Sequence, residues 1–125
     1  MPFTTGLITN TRDFGTAATN IVMNTRNLDQ FNSATILVQV FGSVNSVTFN
    51  PLYQTAYVVG ANSNDVREFY ISGNVAYEVQ IGVTSLQPAN VVLSVFGIDA
   101  FGNLVANQRV LQSELTTITA LSPIP

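Results

Sequence analysis

Short runs of about five to eight residues rich in Val, Ile, Thr, Phe and Tyr recur along these 125 residues, each closed by a cluster of Gly, Asn, Ser or Pro. No stretch sustains the three-to-four-residue spacing of an amphipathic helix, so the pattern confines the chain to an all-β fold. The runs predict strands near Leu7–Arg12, Asn20–Thr25, Thr35–Phe41, Ser46–Phe49, Thr55–Val59, Arg67–Ser72, Ala76–Val83, Val91–Ile98 and Leu104–Leu111. About eight or nine short strands in this length predict one two-sheet β-sandwich, jelly-roll-like. A chain of this size has room for one sizeable core.

Turn chemistry separates the runs: Gly60-Ala61-Asn62-Ser63-Asn64-Asp65, Ser72-Gly73-Asn74, Leu86 to Asn90 and Phe101-Gly102-Asn103 supply residues that accept positive φ or form Asx turns. Gln112 to Leu115 suits one helical turn or a bulge, and the charge-free tail from Thr116 is a poor central strand where it closes in Ser-Pro-Ile-Pro. Tyr77, Val79, Ile81 and Val83 alternate with Glu78, Gln80 and Gly82, as a strand with one buried face requires. Ile36 to Phe41 and Val91 to Phe96 are instead largely apolar on both faces. Such strands need a neighbouring subunit or an added segment over one sheet, or else they are central strands with a few tolerated surface aliphatics. Ala34 to Gly42 and Ala89 to Gly97 also align without gaps and both end in Val-Phe-Gly. This marks either two equivalent places in a pseudo-symmetric sandwich or a shared way of ending a strand, with the Gly at a positive φ or a bend.

The chain divides into an N-terminal arm, residues 1–15, and a sandwich domain, residues 16–125. The arm joins Phe3, Leu7 and Ile8 to a run of Thr and Asn, and Arg12-Asp13-Phe14-Gly15-Thr16 forms a polar hinge behind it. Two readings follow: an ordinary first strand within its own domain, or a strand given to a neighbouring molecule by strand addition. In the second, Phe3, Leu7, Ile8, Thr9, Asn10, Thr11 and Arg12 are the assembly residues.

The chain has little with which to do chemistry. It contains no His, Cys, Lys or Trp, and charged residues make up 9%. Without His or Lys, the triads that activate a nucleophile have no base, and without Cys there is neither thiolate chemistry nor a cysteine zinc site. No catalytic residue, cofactor or metal ligand is assigned, and the chain is not expected to be an enzyme. Asp65 and Glu68 beside Arg67 read as a surface charge cluster rather than a paired-carboxylate site. Asn62 to Asp65 reads as an Asx-rich turn before it reads as a calcium loop. Tyr53, Tyr57, Tyr70 and Tyr77 suit sheet packing better than sugar stacking. Four scattered Arg residues and a net charge of −3 exclude a phosphate-tracking stripe, so nucleic acid is not an expected partner. No segment approaches the roughly 18 apolar residues of a membrane span, and the first residues lack the pattern of a secretory leader. The expectation is a mature form with a replaced Met, or a route other than general secretion.

The opening Thr5-Gly6-Leu7-Ile8-Thr9-Asn10-Thr11-Arg12, the strand Ala34-Thr35-Ile36-Leu37-Val38-Gln39-Val40-Phe41, and Tyr77-Glu78-Val79-Gln80-Ile81 leading to Ser94-Val95-Phe96-Gly97 together carry a likeness. The chain resembles small β-sandwich proteins of endospore-forming bacteria, found in exosporium layers and as subunits of endospore appendage fibres. The resemblance implies a jelly-roll subunit that polymerises by lending its N-terminal arm to the next copy, on a spore surface reached from the mother cell without a leader. The appendage subunits carry crosslinking cysteines in their arms; this chain has none, so disulfide crosslinking is excluded.

The expectation is therefore a self-assembling structural protein, a homopolymer joined by strand donation or edge pairing into an extracellular or spore-surface fibre or layer. A phage or viral structural jelly roll and a carbohydrate-binding module are the alternatives.

Overall fold

The computed structural model describes residues 2–11 and 16–123. Its ten strands are β1 (Phe3–Thr4), β2 (Ile8–Thr9), β3 (Asn20–Asn27), β4 (Ala34–Ser43), β5 (Asn50–Val59), β6 (Asn64–Tyr70), β7 (Ala76–Thr84), β8 (Val91–Ile98), β9 (Leu104–Val110) and β10 (Thr116–Thr117). Every strand pairing is antiparallel. One sheet runs β10-β1-β7-β4-β5, with β2 also on the edge of β7, and the other runs β6-β3-β8-β9. The expected two-sheet sandwich is thus present.

Period-two alternation builds the core. Ile21 and Met23 of β3, Ile36, Val38 and Val40 of β4, Tyr77, Val79 and Ile81 of β7, and Leu93 and Val95 of β8 all face inward and are essentially inaccessible to solvent. Fully burying such a side chain stabilises by about 1.5–3 kcal/mol, so these central strands hold the sandwich together.

The two look-alike strands are interior strands of opposite sheets, each flanked on both sides. The outward residues of β4 are covered in part by an added segment, the chain after β10. Ser122 exchanges hydrogen bonds with the Gln80 side chain, donating its N–H to Oε1 at 2.8 Å and accepting from Nε2 at 2.9 Å. Leu121 lies over Gly82, next to Leu37. The outward residues of β8 have less cover: Val92 is exposed and Phe96 half-buried, as tolerated surface aliphatics are. The glycines that end the two runs are at neither positive φ nor any turn. Each leaves room for an amide side chain, Asn74 against Gly42 and Gln108 against Gly97.

Three sequence expectations need correction. Ser46–Phe49 is not a strand but the exposed β4–β5 connection. There the Asn45 Oδ1 accepts the N–H groups of Val47 and Thr48 at 2.9 and 2.8 Å, and an Asx turn wins over β-propensity. The strand expected at Thr55 begins at Asn50, since Pro51 is tolerated on the outermost strand of the sheet. Among the described residues of the run expected at Leu7–Arg12, the strand is Ile8–Thr9, preceded by the separate β1, because Gly6 turns the chain at φ 72°. Gln112–Glu114 forms a single 3₁₀ turn, in which the Glu114 carboxylate accepts the Leu111 N–H at 2.9 Å.

Candidate assembly site

The arm lies along one edge of its own β7. Phe3 pairs with Ile81 and Thr4 with Gln80, then Ile8 with Tyr77 and Thr9 with Ala76. On its far side β1 pairs with β10, and the Ile118 N–H donates to the Pro2 carbonyl at 2.8 Å. Between the two ladders Thr5 keeps contact in an unusual way. Its N–H donates to the Val79 carbonyl, and its hydroxyl Oγ1 accepts the Val79 N–H, both at 3.0 Å. The Thr5 side chain thus stands in for the backbone carbonyl that the turn at Gly6 takes off the ladder. Thr4 Oγ1 adds a hydrogen bond to the Glu78 carboxylate.

The sequence-predicted assembly residues fall into distinct roles. Phe3 and Ile8 are partly buried against the core, whereas Leu7 is 65% exposed and lies outside both strands. Thr9 and Thr11 are exposed, Thr11 forming an isolated bridge with Thr16. Arg12, with the hinge residues Asp13, Phe14 and Gly15, lies outside the described residues.

Asn10 differs from the rest of the arm in being wholly buried. Its Nδ2 donates to the carbonyls of Ala18 and Asn74 at 3.1 and 3.0 Å, and its Oδ1 accepts the Ala18 N–H at 2.7 Å and Gln108 Nε2 at 2.8 Å. All four hydrogen-bonding places of the amide are filled. Its backbone is equally engaged, with N–H donating to Val75 O at 2.8 Å and the carbonyl accepting Ala17 N–H at 3.0 Å. Gln108 continues the network: its Oε1 accepts the Tyr77 hydroxyl at 2.6 Å. Burial raises the Tyr77 phenol well above its ordinary range, which keeps it a donor. Gly97 provides the space in which Gln108 sits. The sequence reading found Asn10 but missed Thr4, Thr5, Tyr77, Asn74 and Gln108 as its partners or those of the arm.

The other chemical candidates are engaged elsewhere. Asn62 Oδ1 accepts Arg26 Nη2 at 2.7 Å and Asp65 Oδ1 accepts Arg67 Nε at 2.9 Å, so the Asn62 to Asp65 turn spends these oxygens on guanidinium groups. The Arg67 guanidinium also lies 3.8 Å from the ring centre of Tyr57. The Tyr53 hydroxyl donates to Tyr70 O at 2.7 Å, and its ring tilts against Phe69. Tyr53, Tyr57 and Tyr77 are therefore packing residues, with Tyr70 alone of the four largely exposed. Among the described residues no three His, Cys, Asp or Glu side chains gather to hold a metal, and no helix is long and apolar enough to cross a membrane. Compared with known proteins, the chain matches no family model, no curated protein and no solved structure.

Proposed function

We propose that the chain is a self-assembling structural protein, forming an extracellular or spore-surface fibre or layer in which each copy lends its arm to β7 of the next. The observation that carries this reading is the way β7 is covered. Four registered arm residues, in two ladders interrupted at Gly6, lie against a strand of nine residues. The β1–β7 contacts serve equally when the arm comes from a second copy, because exchanging an identical element leaves its docking site unchanged. Docking in cis is favoured by an effective concentration on the order of millimolar for a short tether, so exchange is driven by high local protein concentration. The surface offers little repulsion against it, with charged residues at 9% of the chain.

The test uses a pair of cysteines in a chain that otherwise has none. Thr4 and Gln80 are opposed across the β1–β7 ladder, where Cα atoms are about 4.5–5.5 Å apart and within reach of a disulfide. Oxidising assembled Thr4→Cys/Gln80→Cys protein is expected to give a ladder of covalent oligomers on a non-reducing gel. Only monomeric, internally bridged chains from material that images as fibres would overturn arm exchange. Negative-stain images separate the alternatives, since ordered fibres or sheets fit this reading, closed shells a viral one, and dispersed monomers a binding module.

A further inference from the structure

Resting on the arm exchange proposed above, we propose that Asn10 is the fixed pivot of the arm: residues 2–5 are the segment that docks on the next copy, Gly6 to Thr9 lift with them as the tether, and the chain from Asn10 onward stays with its own sandwich. The polar hinge read from the sequence, Arg12 to Thr16, would place the pivot later and let Asn10 leave with the arm. The geometry argues against that placement. Asn10 makes six hydrogen bonds from a fully buried position, four through its amide and two through its backbone. Two of those partners, Ala17 and Ala18, lead directly into β3, a central strand of the second sheet. The Thr11–Thr16 bridge then joins Thr11 to the chain that leads into β3.

Pulling Asn10 out would strand the Ala18 N–H, the Asn74 carbonyl and Gln108 Nε2 in a dry interior, which is the costly way to break a hydrogen bond. Residues 2–9 meet a smaller obstacle, with Thr4 the one buried residue among them and Thr5 held to Val79 by two hydrogen bonds. Leu7 and Thr9 are exposed, Phe3 and Ile8 only partly buried, and the ladder breaks at Gly6. When this segment lifts, the groups it frees on β7 lie at a sheet edge, where water or another strand reaches them.

Two measurements test the pivot. In native-state hydrogen exchange on the unassembled chain, the Thr5 amide is expected to exchange at least about 100-fold faster than the amides of Asn10 and Ala18, after correction for intrinsic rates. Equal rates for all three, showing a single opening that carries Asn10 with the arm, would overturn the pivot whether or not the chain assembles. In the second, Thr11→Cys/Thr16→Cys is oxidised to lock the Thr11–Thr16 bridge behind Asn10. Assembly comparable with the reduced protein supports a pivot at Asn10, and assembly lost on oxidation and restored by reductant overturns it. Failure of the unmodified chain to assemble at all would count against arm exchange alone, and hydrogen exchange would still decide the pivot.

Discussion

Replacing Asn10 by Ala tests the central polar network most directly. The substitution removes four hydrogen bonds from a position with no solvent access. It leaves two buried donors, the Ala18 N–H and Gln108 Nε2, without a good acceptor. Each orphaned buried donor costs about 1–3 kcal/mol, and Gln108 recovers part of its share by turning to the Thr9 carbonyl, so we expect a loss of about 3–5 kcal/mol. A domain of this length has roughly 6–19 kcal/mol in hand, so the variant still folds. With a urea dependence of about 2 kcal/mol per molar, the unfolding midpoint falls by roughly 2 M. Thr9→Ala, at an exposed neighbour, stays within about 0.5 kcal/mol. The companion Asn10→Asp turns a carboxylate oxygen toward the carbonyls of Ala18 and Asn74. That raises the folded-state pKa of the introduced acid, so this variant is most stable below the ordinary aspartate pKa and loses stability as the pH rises through and above it. Loss of less than about 1 kcal/mol in Asn10→Ala, or an Asn10→Asp variant that strengthens as pH rises, would refute the assignment of these hydrogen bonds.

Gly97→Ala drives a methyl group into Gln108, whose Cβ lies 3.0 Å from where it would sit, and circular-dichroism melting is expected to register a loss of about 1–3 kcal/mol. Deleting residues 2–9 leaves a folded sandwich of lower melting temperature that no longer assembles, and a free peptide of that sequence restores part of the melting temperature; a truncated chain that builds the same fibres would disprove arm exchange. Assembly followed by light scattering changes little between low and molar salt, since so few exposed charges contribute only small, screened terms. The Phe31 N–H, with Asn32 behind it and against the opposing effect of burial, holds Asp29 below the usual carboxylate range. Its contribution is therefore complete above the ordinary aspartate pKa of about 3.9 and fades as the pH falls below it, a loss that acid titration of Asp29→Asn should not show. Burial raises the Tyr57 phenol, with Asp65 adding to the rise and Thr25 and Arg67 opposing it, so this residue favours the fold below about pH 10 and withdraws that support as the pH climbs further.

What the sequence made legible was whatever depends on local spacing. Alternation in Tyr77, Val79 and Ile81 identified both the strand and its buried face, because side chains of period two have no other way to reach one core. Boundaries failed where a side chain competed with the ladder, as Asn45 does in the β4–β5 connection, or where position in the sheet decided, as it does for Pro51. Asn10 was visible only as one of several Thr and Asn residues in the arm. Its partner Gln108 is 98 residues away, and Tyr77 meets Gln108 across 31. Neither the pairing nor the need for Gly97 has a local signature. The available hint was the parity of Gln108 on β9 opposite a strand glycine, which becomes a signal only once β8 and β9 are known to be neighbours.

The edges of the two sheets explain why strand addition would favour β7 over any other site. The free side of β5 includes Pro51, which has no N–H to offer an incoming strand. β6 carries Asp65, Arg67 and Glu68, and charge on an edge discourages pairing between copies. β9 loses regular pairing to β8 between Arg109 and Leu104, with Asn107 at φ 71°, and so presents a bent edge. β10 is two residues long. Each is blunted by a different local device, whereas β7 is regular over nine residues and is covered along this edge by the interrupted arm. Edge-to-edge pairing of sandwiches therefore has no straight, unobstructed strand to start from. The proposed arm exchange would need none: it would uncover β7 and cover it again in one step, with Asn10 holding each donor to its own domain while the segment before it changes partner.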